Sequence, residues 1–212
     1  MKVIDLLIGP MGAGTSFLGY VQHLITQENP TIELPSKKDN CWDEYVLKYK
    51  IFEPLTPIQK EYKKVINNID NATQENYKKF ADAIDDGAEL MFHYYPFGLS
   101  EFVTLNNRMF LSCNKERFTW CYKLGLIKNN EDLHEGIWID DCNKEWQNHV
   151  QTKIKCTFDY YFDYDDLFVN FNKGVIEMFC NSTPNRKHFD TEAVVQLFKD
   201  YSKKNNGILE YE

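Results

Sequence analysis

The chain has 212 residues and a formal net charge of −8 at pH 7, a length that suits one α/β domain with insertions. Hydrophobic residues make up 43% and aromatics 15%, enough for a real core, and the pI of about 5.2 argues against a nucleic-acid scaffold, which carries a basic face. An acidic chain that binds an anionic cofactor must concentrate positive charge locally or rely on backbone donors.

Val3 to Ile8 is an apolar run that reads as a buried strand. It starts at once, without the layout of a signal peptide, and no apolar segment approaches the length of a membrane span. A cytoplasmic location and no membrane partner are therefore expected. Gly9, Gly12 and Gly14 follow, and then Phe17, Leu18, Val21, Leu24 and Ile25 recur at helical spacing. Strand, glycine-rich turn and helix form the layout of a phosphate-binding loop. Residues without a Cβ let backbone N–H groups crowd around an anion, and the helix points its positive end at the same place. Gly9, Gly14 and Ser16 fit the pattern G-x-x-x-x-G-K-[ST], with Thr15 at the lysine position. That lysine is the main cation over the terminal phosphates of ATP, so Thr15 argues against an ordinary kinase or ATPase. Thr15 and Ser16 are anion ligands in one reading and simple N-terminal caps of the helix in the other.

Asn29 to Asn40 is a polar, proline-bearing connection. A helical insertion at about 42–86 follows, marked by stripes of Tyr62, Val65, Ile66 and Ile69 and of Tyr77, Phe80, Ala81 and Ile84, with Gly87 as a helix stop. Leu90 to Tyr95, ended by Pro96, and Arg108 to Cys113 are the second and third strand candidates. Arg117 to Ile127 reads as a helix, and Ile137 to Val150 fits no single pattern. Lys153 to Tyr164 alternates Ile154, Cys156, Phe158, Tyr160 and Phe162, which has strand character. Lys173 to Cys180 and Thr191 to Tyr201 close the chain as helices. Strands alternating with helices imply a parallel sheet with helices on both faces. Val3 to Ile8 is expected near its centre and the insertion over its C-terminal edge.

Several polar residues carry candidate chemistry. His93 falls near the C-terminal edge of a strand, where open α/β sheets place ligands. A neutral imidazole there can take a proton near pH 7, although a core histidine bonded to backbone has the same sequence signature. Arg117 can hold a phosphate bidentately, and Lys115 can assist; the competing reading is a surface helix. Asp163-Tyr164-Asp165 is a D-x-D pattern, but Asp165 and Asp166 read more naturally as caps of the segment after them. His23, His134, His149 and His188 have no metal-ligand spacing among themselves or with cysteine, so no metal is expected. The six cysteines, Cys41, Cys113, Cys121, Cys142, Cys156 and Cys180, are scattered and expected to be reduced and buried.

Two known families share features with this chain. Ile8 to Ser16 is similar to the phosphate loop of shikimate-kinase-type P-loop kinases, except at Thr15. Gly14 to Leu18 resembles the 5′-phosphosulfate loop of the sulfotransferases, which reads G-x-P-[KR]-S-G-T-[ST] and carries Thr where kinases carry Lys. Phe92-His93-Tyr94-Tyr95-Pro96 is similar to that family's histidine- and proline-bearing strand end, with a His–Pro spacing longer by one. Leu111 to Arg117 looks like a degraded R-D-P-x-x-R, with Arg117 at the second arginine and Ser112 at the first. Tyr164-Asp165-Asp166-Leu167 is similar to the family's Y-E-D-L.

The resemblance spans residues 3–168 and implies a P-loop nucleotide-binding-type α/β fold. It also implies a sulfuryl transfer from 3′-phosphoadenylyl sulfate to a hydroxyl or amine of a small-molecule or carbohydrate acceptor. Gly12, Ala13, Gly14, Thr15 and Ser16 would hold the 5′ end, Arg117 with Lys115 the 3′-phosphate, and His93 would be the catalytic base. Gly12 stands where the family has Lys or Arg, and Ala13 where it has Ser. With Ser112, at least two expected cations are missing from a site that needs charge-assisted contacts. A non-catalytic binding or scaffold protein on a degenerate P-loop fold, and a divergent P-loop kinase, stay open as the other readings.

Overall fold

The computed structural model describes residues 1–28, 58, 61–62, 65, 72–128, 137–183 and 186–209. Four strands, β1 (Val3–Ile8), β2 (Ala88–Phe92), β3 (Thr104–Ser112) and β4 (Tyr160–Asp163), alternate with helices. The helices are α1 (Thr15–Thr26), α2 (Gln74–Ala83), α3 (Lys115–Lys128), α4 (Ile137–Lys155), α5 (Tyr164–Phe168), α6 (Lys173–Asn181) and α7 (Thr191–Leu209), with a 3₁₀ turn at Phe97–Glu101. The sheet is parallel throughout, in the order β2-β1-β3-β4. In open α/β sheets with this order, the chain's winding reverses between β1 and β3, and ligands bind at the C-terminal ends of such a pair.

β1 pairs on both sides, Ile8 standing between Phe92 and Phe110. A strand covered on both faces needs a continuous apolar run rather than an alternation. Ile4, Leu6 and Ile8 turn to one face, where Leu90, Phe92, Phe110 and Phe158 meet Tyr77, Phe80 and Ile84 of the α2 segment. Leu7 turns to the other, with Met109, Leu111 and Phe162 under α1, α6 and α7. Phe17 of α1 is fully buried there, stacked on Tyr201 at 4.1 Å and edge-on to Phe198 at 5.0 Å. A third, smaller cluster joins α3 to α4 through Phe118, Tyr122, Leu126 and Cys142, with Trp138 and Trp146 against it.

The parallel sheet with helices on both faces, and the central place of Val3–Ile8, agree with the sequence. Several expected boundaries do not. The second strand is not Leu90–Tyr95 but Ala88–Phe92. The chain leaves the sheet at His93 because residues 93–103 must carry it from one end of β2 to the opposite end of β3. Pro96 and the 3₁₀ turn make that return. The strand expected over Lys153–Tyr164 is a correction of a larger kind. Lys153–Lys155 is the last turn of α4, and only Tyr160–Asp163 pairs with β3. Ile154, counted in the alternation, is 77% exposed. The linking residues are held instead by Asn107, whose Nδ2 donates to Thr157 O at 3.0 Å and whose carbonyl accepts from Asp159 N at 2.9 Å.

Gly87 is not a helix stop either. α2 ends at Ala83, and Gly87 forms a left-handed turn (φ +78) whose N–H donates to Val3 O at 2.8 Å. The rest of the insertion at 42–86, apart from the helical residues Ile58, Glu61, Tyr62 and Val65 and from 72–73, lies outside the described residues. The described helix α2 covers a face of the sheet, not its C-terminal edge. Its end is tied to the N-terminal edge by Lys2, whose Nζ donates to the carbonyls of Ala81, Asp82 and Ile84 at 3.0, 2.9 and 2.6 Å. A cation there also complements the negative end of a helix. No described helix is long and apolar enough to cross a membrane.

Candidate functional site at the β1–α1 glycine turn

Directly after β1, the Gly9 N–H donates to Phe92 O at 3.1 Å, which joins the turn to the end of β2. Pro10 O then accepts from Ala13 N at 3.1 Å. Gly12 and Gly14 bracket Ala13 and are both left-handed, with φ +74 and +79. From Gly14 (αL) the chain passes straight into α1. Alternation of left- and right-handed residues points successive N–H groups to one side and makes an anion-binding concavity. Among the described residues, Ala13 is the one member of 12–15 whose N–H is taken by a carbonyl of the turn.

The capping alternative for Thr15 fails on geometry. Gly14 is the N-cap, no side chain caps it, and Thr15 is already the first helical residue, with Ser16 the second. Thr15 is 7% exposed. Its Cγ2 lies 2.7 Å from where a Cβ on Gly9 would sit, so its methyl fills the space beneath the turn.

The outside of the turn is covered by α3 and α7. A Cβ on Gly12 would sit 2.0 Å from Cys121 O, and one on Gly14 would sit 2.9 Å from the Tyr201 hydroxyl oxygen. Reciprocally, a Cβ on Gly125 would meet Met11 Cγ at 2.7 Å. Glycine thus supplies both the left-handed conformations and the close approach of helix α3. Sequence reasoning missed Gly125 and Tyr201. A glycine inside a helical stripe is a signal of close packing; nothing in the sequence pointed to Tyr201.

His93 is half-buried and follows the last β2 residue, at the same sheet edge as the turn. Arg117 lies in the first turn of α3, where its N–H donates to Asn114 Oδ1 at 2.8 Å. Its Nε donates to Asp165 Oδ1 at 2.8 Å, and its guanidinium carbon lies 5.2 Å from the Trp120 ring centroid and 5.4 Å from that of Tyr164. The described edge thus gathers the turn, His93 and Arg117. Lys115 stands two residues before Arg117, at the start of α3. Residues two apart on a helix do not face each other, and the exposed Lys115 acts on the Cys142 thiol of α4 instead.

Asp165 and Asp166 do not cap α5. Asp163 does, accepting from Asp165 N at 2.9 Å, because its extended backbone lets the carboxylate reach that N–H. The Ser112 hydroxyl donates to Asp163 Oδ2 at 3.5 Å. Burial pushes the Tyr164 hydroxyl far above the ordinary phenol range, and Cys121 and Tyr201 push it further. Tyr164 is therefore a neutral group under the Arg117 guanidinium. Burial also pushes the Cys113 thiol up to about 12, with Asp163 and Asp165 adding to it. Cys121, Cys142 and Cys180 are buried and Cys113 and Cys156 half-buried, all five as thiols outside any disulfide; Cys41 lies outside the described residues.

Compared with family models, with curated proteins and with solved structures, the chain matches none.

Proposed function

We propose that the glycine turn holds the phosphate-bearing end of an adenosine cofactor of the 3′-phosphoadenylyl sulfate type, in a sulfotransferase-like transferase. The observation that carries this reading is the pair of left-handed glycines, Gly12 and Gly14, at a β1–α1 junction on the ligand edge of a parallel sheet. Backbone N–H groups of Gly12, Gly14, Thr15 and Ser16, with the Ala13 N–H held by Pro10 O, and the positive end of α1 meet the anion, so the turn needs no lysine to fit one. When bound, such a cofactor supplies the sulfuryl group. Arg117 faces the 3′-phosphate with the donors that Asp165 leaves open. His93 takes the proton of the acceptor hydroxyl or amine. The turn's donors stabilise the negative charge that grows at the phosphate.

A second reading, a non-catalytic binding or scaffold protein on a degenerate P-loop fold, draws on a different observation. Arg117 is already paired with Asp165, and the cations expected at positions 12 and 112 are Gly and Ser. A calorimetric titration with adenosine 3′,5′-bisphosphate, with ATP·Mg as control, separates the readings. Tight binding of the bisphosphate supports transfer. Binding of neither supports the scaffold, and binding of ATP·Mg alone the divergent kinase.

A further inference from the structure

Helix α4 reaches the rest of the protein through an aromatic box, and a histidine stands at its centre. His149 is 1% exposed. Its ring stacks on Phe110 of β3 at 4.8 Å and 25°, lies 5.7 Å from Trp146 at 25°, and is tilted against Phe118 of α3 at 5.3 Å. Among the described residues, neither Nδ1 nor Nε2 has a hydrogen-bond partner, and nor does the buried Nδ2 of the adjacent Asn148. A neutral imidazole tolerates such a place as an apolar ring. An imidazolium would bring two N–H donors and a charge into a box where no described group bonds to the ring.

The charges nearby do not help it. Lys153, one turn on along α4, also disfavours the charged ring, after burial as the larger cause, and the ring's pKa falls to about 4. Other titratable groups on the enclosing elements include Cys142, Lys144, Glu145 and Lys155 on α4, Lys115, Cys121, Tyr122 and Lys123 on α3, and Arg108 on β3, with Cys113 just after β3 and Tyr161 on β4 behind Phe110. Arg108 is committed to Asp159 at 3.3 Å.

We propose that His149 is an acid-sensitive latch: its neutral ring clamps α4 onto β3 and α3, and its protonation releases α4 while the core around β1 stays folded. The cluster joining α3 to α4 meets the cluster of β1 and α2 at the His149–Phe110 stack, so this stack is where α4 parts from a core that keeps its own packing. The release has a consequence at the glycine turn. α3, freed of α4 on one flank, is the helix whose Cys121 and Gly125 backbone abuts Gly12. Acidification therefore loosens the support of the turn, whatever anion the turn binds.

Hydrogen exchange of the full chain, stepped from pH 7.5 to 4.5 and corrected for the intrinsic pH dependence, tests this. Opening of the α4 amides should increase towards tenfold per pH unit between pH 6 and 4.5, the slope of one proton. Amides of β1, α1 and α7 should stay far more protected than those of α4 throughout, since they open only with the whole fold. His149→Phe, which keeps an aromatic ring in the box, should remove the slope. α4 amides as protected as those of β1 across the whole range would overturn the latch, as would an unchanged slope in His149→Phe. If that variant does not fold, the wild-type profile decides, together with an NMR titration of the His149 ring. Titration of that ring near an ordinary 6.5 would also overturn the proposal.

Discussion

Arg117 donates its Nε hydrogen to Asp165 Oδ1 at 2.8 Å, with side chains 26% and 33% exposed. The two residues come from the start of α3 and from α5, so this pair ties the third strand's outgoing helix to the segment after the fourth strand. It also means that the guanidinium is oriented by a carboxylate and by the faces of Trp120 and Tyr164. Arg117→Ala should weaken adenosine 3′,5′-bisphosphate binding by about 1–3 kcal/mol, the range of a lost bond to a charged group and its desolvation penalty. Titration calorimetry reads this directly. An unchanged affinity would make Arg117 a structural cation only.

His93→Ala should behave differently. A base acts on the acceptor, so bisphosphate affinity should stay within error while turnover disappears. A variant that loses affinity instead would place His93 in the binding surface.

The glycines give a paired stability test. Gly12→Ala puts a Cβ 2.0 Å from Cys121 O at φ +74, whereas Gly87→Ala at φ +78 meets nothing within 4 Å. Both incur left-handed strain of about 1–2 kcal/mol. Only Gly12→Ala must also push α3 away, so its denaturation midpoint should fall well below that of Gly87→Ala. Equal midpoints in urea would show that α3 does not rest on the turn.

Phe17→Ala removes a fully buried ring from between Tyr201, Phe198 and Phe168. A loss of about 3–5 kcal/mol is expected from transfer and cavity terms together, measured by urea unfolding. It should exceed the effect of truncating Phe97, which is 47% exposed.

The pH dependence has a defined sign. The unfolded chain takes a proton on His149 near the ordinary 6.5, and the folded chain only near 4. Between those values the unfolded state binds more protons, so stability falls as pH drops through that window. The full effect is about 3 kcal/mol at 1.36 kcal/mol per pKa unit. Urea midpoints at pH 7 and pH 4.5 should show most of this loss in wild type and little of it in His149→Phe.

Local pattern carried much of the architecture. The Val3–Ile8 run could only be buried on both faces, and Phe17, Leu18, Val21 and Ile25 made the apolar stripe of α1 visible. The alternation from Ile154 to Phe162 misled for a reason found in the helix before it and in the partner strand. α4 runs on to Lys155 and β4 joins β3 only over Met109–Ser112, so the first part of the alternation belongs to a helix and its connection. The tryptophans at 138 and 146 signalled packing, but only α3 on the other side defined their partner surface.

At the glycine turn the division is similar. The residues that make an anion cradle conceivable, Gly9, Gly12 and Gly14 between a strand and a helix, are contiguous and could be read without a structure. Their second duty could not. Gly12 lies against Cys121 and Gly125, Gly14 against Tyr201, Arg117 against Asp165, and His149 against Phe110. Backbone conformation and amphipathic faces are set by neighbours a few residues apart, so sequence alone determined the strand–turn–helix unit and the parallel α/β class. Contacts between residues far apart in the chain depend on how helices close over the sheet. Only the tertiary structure decided which polar groups meet, which charge is neutralised, and which histidine is buried without a partner.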